Sequence, residues 1–224
     1  MKVSVVISVY NEEKYIKTCL DSLMKQEEKP DEIIVVDNNC TDKTVSIVKK
    51  YKGIKIIQEK KQGMIPARNA GFNKAENEIL AKCDADTVLP PDWIKNIKND
   101  FSQDTSIIGI SMPIQLNDFP LLGRSVIPFY VYMLIPRLMI GVCPLTGPSY
   151  VIKKTIWNKV KYKICLDDKK VHEDIDLSFH IKKFGKIYHD SKIIAKSSGR
   201  RLKYNPFSFL GEYTFRFLKM LKDH

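Results

Sequence analysis

Cysteine pairs and export signals are missing from this 224-residue chain. Its five cysteines are an odd number, and no two of them form a C-x-x-C pair. Such a set argues against a disulfide framework and against a thiolate zinc site. The first 13 residues hold one lysine before a short apolar run and lack a small-residue cleavage site, so they predict a β-strand rather than a signal peptide. We expect a protein of the reducing cytoplasm.

Long apolar runs are scarce as well. The main candidate is residues 125–145, where Arg137 is the single charge and Pro128 and Pro136 interrupt the run. A helix that spans a bilayer needs about 20 apolar residues. A central arginine and two internal prolines disfavour a crossing, so the segment predicts a buried core element or an interfacial helix.

Two nucleotide-recognition signatures are also absent. Tyr-Asn-Glu-Glu follows the first predicted strand, where a dinucleotide-dependent oxidoreductase would have G-x-G-x-x-G. No aromatic-and-basic motif of the RNP type occurs in the chain. An oxidoreductase is therefore disfavoured, while a basic nucleic-acid- or membrane-binding protein stays the alternative from another class of function.

Acidic residues are few in the last third of the chain. Residues 147–224 hold 18 Lys and Arg against 8 Asp and Glu, whereas residues 1–146 hold 19 against 18. Nearly all of the net charge of +11 thus follows residue 146. The excess indicates an anionic partner, either nucleic acid or an anionic membrane surface, or a solvated lysine-rich face.

Short β-branched runs alternate with amphipathic helical segments through the first half of the chain. Strands are expected at 2–9, 32–36, 54–58 and 79–83, and helices at 13–25, from 41 or 42 to 50, and at 67–75. This alternation predicts an α/β domain with a mostly parallel sheet. In such sheets ligands bind beyond the carboxyl ends of the strands.

Carboxylates follow two of these strand ends. Asp84 and Asp86 stand at alternate positions after the fourth strand, so both project to one side. Oxygen ligands of this kind suit a Mg²⁺ or Mn²⁺ that holds phosphate groups, although a turn or a helix start would also explain them. Asp37 follows the second strand and could accept hydrogen bonds from a base or ribose, or form an Asx turn.

Three further sites suit anion binding or proton transfer. Arg68 falls in the first turn of a predicted helix, where a cation opposes the helix dipole, so an anionic or carbonyl partner would explain it. Glu173 and Asp174 open a helix in an acidic cluster that exceeds capping needs, so one acid could be a general base. Arg200 and Arg201 could hold phosphate oxygens or form a solvated basic turn.

Taken in order, five motifs resemble those of family 2 inverting glycosyltransferases of the GT-A fold. They are Val-Val-Ile-Ser-Val-Tyr-Asn-Glu-Glu at 5–13, Val-Val-Asp-Asn-Asn-Cys-Thr-Asp at 35–42, Pro-Ala-Arg-Asn-Ala-Gly at 66–71, Asp-Ala-Asp at 84–86 and Glu-Asp-Ile-Asp-Leu at 173–177. The resemblance covers about residues 3–201. It implies a Rossmann-like three-layer α/β/α sandwich, a nucleotide-diphosphate-sugar donor, a Mn²⁺ or Mg²⁺ cofactor and direct displacement at the anomeric carbon.

The resemblance also implies roles for individual residues. Asp86, with Asp84, would bind a metal that stabilises the leaving diphosphate, and Asp174, beside Glu173, would be the general base. The nucleotide-sugar site would be formed by Ser8, Tyr10, Glu12, Asp37, Arg68, Asp84, Ala85, Arg200 and Arg201. The acceptor-side loop would be formed by Gly147, Pro148 and Ser149.

The chain departs from the family pattern near its terminal basic motif. Many members have a histidine there as a further metal or phosphate ligand, whereas Lys196 occupies about that place and His189 lies nearby. The glutamine-and-tryptophan signature of processive polysaccharide synthases is absent, as are their long transmembrane helices. Transfer of a single sugar is therefore favoured.

The expected domain covers residues 1–204, with a nucleotide-sugar-binding half at 1–110 and an acceptor half at 111–204. Residues 205–224 predict an amphipathic basic helix. This helix and segment 125–145 could bring the site to a membrane face. The expected reaction moves a sugar, from a UDP-sugar by preference, to a hydroxyl of a lipid-linked or glycan acceptor. The alternative is a transferase that moves a sugar from a donor such as GDP-mannose to a polyprenyl or dolichyl phosphate. That acceptor is already an anion, so the reaction needs no general base.

Overall fold

A computed structural model describes residues 1–118 and 125–204 of the protein, together with Arg216 and Lys219. Strands and helices alternate in the first half, as the sequence predicts. The strands are β1 (Val3–Val9), β2 (Glu32–Asp37), β3 (Ile54–Gln58), β4 (Ile79–Asp84), β5 (Ile107–Ser111), β6 (Ile114–Leu116), β7 (Ser149–Lys153), β8 (Lys186–His189) and β9 (Ala195–Ser197). The helices are α1 (Ile16–Met24), α2 (Thr44–Val48), α3 (Met64–Lys74), α4 (Trp93–Gln103), α5 (Ile127–Ile140), α6 (Lys154–Val160), α7 (Glu173–Ile181) and α8 (Arg200–Tyr204).

A seven-stranded sheet forms the centre of the fold, with strand order β3-β2-β1-β4-β7-β5-β8. Strand β7 pairs antiparallel with β4 and β5, whereas the other neighbouring strands of this sheet pair in parallel. The mostly parallel α/β sheet predicted from the sequence is confirmed. A second, two-stranded sheet pairs β6 with β9 in parallel.

The order of the strands creates a crevice at the carboxyl end of β1. The chain passes from β1 to β2 on one side, whereas β4 pairs with β1 on the other. Open α/β sheets bind ligands at such a switch point. The strand register aligns Ser8 with Asp84 and Val9 with Asp37, so the ends of three strands meet at this edge.

Two hydrophobic cores lie on opposite faces of the sheet. Alternate residues of β1, such as Val5 and Ile7, pack in one core that includes Leu20 of α1 and Trp93 of α4. Val6 points to the other face, where the core is closed by helices α3, α6 and α7. Because successive side chains of a strand face opposite sides, one strand supports both cores. The result is the three-layer α/β/α arrangement.

Helix α3 begins three residues earlier than the sequence predicts. The backbone N–H of Ile65 donates to Asp168 Oδ1 at 2.9 Å, and the N–H of Gly63 donates to Asn38 Oδ1 at 2.8 Å. Pro66 fits the first turn because its missing N–H would have no partner within the helix there. The acceptor for Ile65 is 103 residues away in the chain, so local sequence could not show the start of this helix.

The apolar segment 125–145 forms the surface helix α5. Pro128 lies in its first turn, Pro136 lies inside it, and Gly141 ends it with φ of 79°. Met133, Pro136 and Ile140 face the protein, and the outward face is apolar. Among the described helices, none is both long and apolar enough to cross a membrane. The helix predicted at 205–224 lies outside the described residues, apart from Arg216 and Lys219.

Candidate functional site

A cleft of about 880 Å³ opens at the carboxyl ends of β1 and β4. Its volume lies within the range of sites that enclose cofactors and drug-sized ligands. Residues of several separate motifs line it. The predicted site residues among them are Ser8, Tyr10, Glu12, Asp84, Ala85, Asp86, Gly147, Pro148, Glu173, Asp174 and Arg200.

The two acids of the Asp-Ala-Asp motif line the same cleft but have different partners. The ammonium of Lys82 donates to Asp84 Oδ1 at 2.6 Å. Asp86 accepts a hydrogen bond from Ser197 Oγ at 3.3 Å, and Arg200 Nε lies 3.4 Å from its other oxygen. Burial, together with the charge of Asp84, raises the pKa of Asp86 to about 6. The negative charges around Asp86, from Asp84 and Glu12, therefore outweigh the positive charge of Arg200.

The donor set suits a divalent cation that arrives with a phosphate ligand. Within residues 1–118 and 125–204, no group of three or more His, Cys, Asp and Glu side chains is arranged to hold a metal ion. Mg²⁺ is commonly held by one or two carboxylates together with substrate phosphates and water. Asp86 fits this type of site, because its carboxylate faces the cleft and lacks full charge compensation from the protein.

Arg200 closes one side of this region. Its guanidinium donates two hydrogen bonds to Glu12, at 2.7 and 2.5 Å, and stacks 4.6 Å from the ring centroid of Tyr15. A planar guanidinium can also grip phosphate oxygens in this two-pronged manner. Arg200 thus lies where an anionic ligand next to Asp86 would meet it. Arg201 belongs to the same short helix, but its side chain is outside the described part of the chain.

Ser8 and Tyr10 form part of the cleft wall at the end of β1. The Ser8 hydroxyl is buried, and no described residue offers it a hydrogen bond. A buried polar atom without a partner is unusual and points to a ligand or water. Asn38 lies beside it in the wall; its amide donates to the carbonyls of Glu59 and Lys61 at 2.8 Å.

Two residues expected to contact the nucleotide do not line the cleft. Asp37 Oδ1 accepts the N–H of Cys40 at 2.8 Å, a local contact three residues ahead, whereas the Asx turn considered as its alternative role would reach two residues ahead. Arg68 is 1% exposed, and its guanidinium donates to Glu173 at 2.6 Å and to Tyr150 at 2.7 Å. Because α3 begins at Met64, Arg68 lies beyond the first turn, where the helix dipole does not require an anion. Its anionic partner is an internal glutamate, so Arg68 supports the site from behind.

Glu173 is the centre of a buried ionic network. It is 7% exposed and also lies 3.2 Å from the ammonium of Lys82. Burial alone would raise its pKa, but the charges of Lys82 and Arg68 outweigh burial and lower it. Both cations and the Tyr150 hydroxyl hold Glu173, so its charge is compensated although it lines the cleft. The catalytic role expected for Glu173 stays a prediction.

Asp174 has the opposite environment. Its Oδ2 accepts the backbone N–H of Gly147 at 2.7 Å, and its Oδ1 accepts that of Ile175 at 2.9 Å. Burial, followed by the charge of Glu173, raises its pKa. An oriented carboxylate with a raised pKa that faces a cleft has the properties of a general base.

The loop before β7 joins the acidic residues of the site. Gly147 and Pro148, which the family resemblance assigns to the acceptor side, line the cleft, whereas Ser149 is fully buried in β7. The N–H of Gly147 holds Asp174, and its carbonyl accepts a hydrogen bond from Lys82. A Cβ on Gly147 would lie 3.3 Å from Asp174 Oδ2, so the absence of a side chain keeps this approach open.

Neither candidate for the further metal or phosphate ligand points into the cleft. His189 Nδ1 lies 2.9 Å from Ser111 Oγ, and its Nε2 lies 3.1 Å from Tyr130 OH, so both ring nitrogens have protein partners. Lys196 is exposed in the middle of β9, whereas Ser197 faces Asp86. Strand alternation explains why the lysine and the serine face opposite ways.

Three residues of the site escaped the sequence analysis: Lys82, Ser197 and Asp168. The signal for Lys82 was present, because a charge inside the apolar run Ile79–Cys83 is rare in a buried strand. Asp168 lines the cleft and caps α3. Asp168 lies outside the sequence motifs, whereas Ser197 begins the stretch that ends in Arg200 and Arg201. Only the fold shows that both residues reach the cleft.

The cleft becomes apolar away from the acids. Its wall there includes Ile114 and Leu116 of the small sheet, and Phe129, Tyr132 and Met133 of α5. The same helix turns a second set of apolar side chains outward, and Leu138 is 73% exposed. The exposed aliphatic members of this set, called here the α5 outer face, are Ile127, Val131, Leu134, Ile135, Leu138 and Met139.

Comparison with known proteins identifies the family. The model of the family described as glycosyl transferase family 2 matches residues 4–152. The chain belongs to glycosyl transferase family 2. Among curated relatives, this family 2 chain is 31% identical over 120 residues to the putative glycosyltransferase EpsH of Bacillus subtilis. The aligned residues cover 52% of this chain and 35% of EpsH. The chain thus spans about a third of the length of this relative.

Solved structures confirm the fold of this family 2 chain. The mannosyltransferase PcManGT from Pyrobaculum calidifontis, in complex with GDP-Man and Mn²⁺, aligns with a TM-score of 0.77 at 19% identity, over 100% of this chain and 65% of its own. TarS of S. aureus, in complex with UDP-GlcNAc, aligns with a TM-score of 0.68 at 22% identity. This alignment covers 88% of this chain and 59% of the TarS chain. The resemblance drawn from the five sequence motifs is confirmed.

Proposed function

We propose that this chain transfers one sugar from a nucleotide-diphosphate sugar to an acceptor hydroxyl with inversion at the anomeric carbon. The observation that supports this best is the placement of Asp86 and Asp174 in one cleft, each with a raised pKa. One acid is suited to a metal diphosphate and the other to proton removal. UDP-sugars are the favoured donors, since TarS was solved with UDP-GlcNAc, while GDP-Man in PcManGT keeps a GDP-sugar open.

Donor binding uses the end of the cleft next to β1 and β4. Ser8 and Tyr10 would contact the base and ribose, and Asp84 would face the ribose. Arg200 would exchange part of its contact with Glu12 for phosphate oxygens, which a guanidinium binds with similar geometry. A bound Mn²⁺ or Mg²⁺, held by Asp86, would supply positive charge for the leaving diphosphate.

The transfer step uses Asp174 as the base. Its carboxylate takes the proton from the acceptor hydroxyl as that oxygen forms a bond to the anomeric carbon. The bond between this carbon and the diphosphate oxygen breaks, and its electron pair stays on the nucleotide diphosphate. Because the backbone N–H of Gly147 fixes Asp174 Oδ2, the base is already oriented before the acceptor binds.

The acceptor would bind at the apolar end of the cleft, and a lipid-linked acceptor suits this wall better than a bare glycan. Phe129, Tyr132 and Met133 line the cleft from the helix that bears the α5 outer face. An acceptor held there could extend along α5 into the headgroup region of a bilayer. We therefore propose peripheral binding to the cytoplasmic membrane face, which the basic last third of the chain would strengthen.

Donor and metal binding are tested by calorimetric titration with UDP-, GDP-, CDP- and dTDP-sugars, with Mn²⁺ and with a chelator. Wild-type protein is expected to bind one nucleotide class in a metal-dependent manner, and Asp86→Ala is expected to lose this dependence. Lys55→Met, on the distant edge strand β3, serves as the folded control. Failure of the folded wild-type protein to bind any donor would refute the proposal.

The second candidate is a transferase that acts on a polyprenyl or dolichyl phosphate, and the apolar end of the cleft favours it equally. Its acceptor oxygen is already ionised, so it needs no general base. Asp174→Asn separates the two reactions. A hydroxyl acceptor predicts a loss of kcat of about 10²- to 10⁴-fold, whereas a phosphate acceptor predicts a much milder loss with donor binding unchanged.

Membrane binding is tested by sedimentation with vesicles that contain phosphatidylglycerol or phosphatidylcholine alone. The double variant Ile135→Glu and Leu138→Glu, on the α5 outer face, is expected to lose most binding to the anionic vesicles. Ile194→Glu changes an exposed apolar residue outside α5 and is the matched control. Equal binding by both variants would contradict a role of α5.

A further inference from the structure

Lys82 is buried in the middle of the central sheet. It lies on β4, between β1 and β7, and is 1% exposed. Removing an ammonium group from water is costly unless the protein supplies opposite charge and hydrogen-bond acceptors. An apolar residue would fill this strand position at lower cost, so the partners of Lys82 should reveal what the charge does.

The partners of Lys82 come from three separate parts of the cleft. Asp84 belongs to the Asp-Ala-Asp motif and accepts a hydrogen bond at 2.6 Å. Glu173, 3.2 Å away, precedes the proposed base. The carbonyl of Gly147 belongs to the acceptor loop, and the N–H of the same residue holds Asp174. One ammonium therefore touches the donor side and the acceptor side of the site.

The two acids of the Asp-Ala-Asp motif are unequal because of this lysine. Asp84 has an internal counter-ion at hydrogen-bond distance, whereas Arg200 lies 3.4 Å from Asp86 and gives its shorter bonds to Glu12. A fixed cation beside one carboxylate lowers the affinity of that carboxylate for a second cation. A divalent metal near both acids would thus be attracted mainly by Asp86.

We propose that Lys82 is a positioning residue that keeps Asp84 out of tight metal binding and holds the Gly147 peptide against the base Asp174. This inference rests on the proposed function, because it concerns the metal and base assigned there. Its consequence is that the lysine weakens metal binding while it supports turnover. If Lys82 had a purely structural role, its loss would weaken both metal binding and turnover, or would change neither.

The test is a titration of Mn²⁺ in the presence of the nucleoside diphosphate that the wild-type protein binds, with free Mn²⁺ followed by electron paramagnetic resonance. Lys82→Met is expected to bind Mn²⁺ about fivefold or more tightly than wild type, because a nearby positive charge is gone. Its kcat at saturating substrates is expected to fall by about tenfold or more, because Asp174 loses its fixed support. Lys55→Met, which removes a lysine paired with Glu32 on another strand, should change neither value.

Lys82→Met that melts cooperatively but binds Mn²⁺ no more tightly than wild type would overturn the inference. If this variant and the closer mimic Lys82→Gln both fail to fold, Asp84→Asn in the presence of Lys82 decides the matter. Since Asp84 already has a counter-ion in Lys82, its neutralisation should weaken Mn²⁺ binding much less than Asp86→Asn, which should abolish most binding. Equal losses in these two variants would also overturn the inference.

Failure of the proposed function would look different. Wild-type protein that binds no Mn²⁺ with any nucleoside diphosphate would refute the metal-dependent reaction, and the role of Lys82 with it. Wild-type protein that binds Mn²⁺, together with a Lys82→Met variant that binds it no better, would refute the role of Lys82 alone.

Discussion

Removal of the Arg68 side chain should destabilise the protein strongly without changing donor binding directly. The Arg68 and Glu173 side chains are 1% and 7% exposed and lie 2.6 Å apart. Breaking a buried ion pair by removal of one partner typically costs about 3–5 kcal/mol. In Arg68→Met, Glu173 keeps Lys82 at 3.2 Å, so we expect the lower end, about 3 kcal/mol. For a domain of this size the melting temperature should fall by about 6–12 °C.

The assay is thermal and urea unfolding of Arg68→Met beside two reference variants. Lys17→Met removes an exposed pair with Asp21, where the side chains are 68% and 37% accessible, and should change stability by less than about 0.5 kcal/mol. The double variant Arg68→Met and Glu173→Gln also removes the buried carboxylate charge that Arg68 helped to compensate and should recover part of the loss.

Two results would refute this reasoning. If Arg68→Met lowered the free energy of unfolding by less than about 1 kcal/mol, the ion pair of Arg68 with Glu173 would stabilise the protein less than its burial predicts. A large rise in the donor KM with unchanged stability would place Arg68 in contact with the nucleotide, as the sequence motif alone suggested, and would contradict its position behind the cleft.

Two further predictions concern helix packing and pH. Gly71→Ala should destabilise by about 1–3 kcal/mol in thermal unfolding, because the added Cβ would meet Val6 Cγ1 at 2.2 Å; a gain in stability, as helix propensity alone predicts, would contradict this packing. For Asp86, with a pKa of about 6, a proton competes with the metal, so Mn²⁺ affinity should fall between about pH 7.5 and about pH 5 in calorimetric titrations. The folded protein holds this proton more tightly than the unfolded chain, where the pKa is near 3.8. Ionisation of Asp86 should therefore lower the stability of the metal-free protein as pH rises from about 4 to about 6, and Asp86→Asn should remove that contribution.

The sheet and the order of the motifs could be predicted because both depend on local patterns. Apolar runs that end in polar clusters located β1, β2, β3 and β4 within one or two residues. The sequence predicted that Asp84 and Asp86 lie on one side, and both line the cleft, although β4 ends at Asp84 and Asp86 lies in the turn that follows. These features need no knowledge of distant parts of the chain.

The partners of the buried charges could not be predicted, because they depend on contacts between distant residues. The sequence analysis placed Arg68 in the first turn of its helix and left open whether its partner was a ligand or a protein group. Helix α3 begins at Met64, so Arg68 lies beyond the first turn, and its partner is Glu173, 105 residues away. Whether Lys196 could serve as a metal or phosphate ligand depended on which residues of β9 face the cleft. A strand of only three residues gives too short a pattern in the sequence to show this.

The charge balance of the interior explains which acids are left to react. Arg68 and Lys82 compensate Glu173 and Asp84, so this ionic network is close to neutral. Asp86 shares Arg200 with Glu12, and Asp174 is held by backbone N–H groups that bear no full charge. A carboxylate without a full counter-ion in a partly buried site attracts a metal ion or a proton. Asp84 and Glu173 line the same cleft, but their charges are already compensated. This difference in compensation, more than the motifs themselves, makes Asp86 and Asp174 the residues suited to bind a cation and to accept a proton.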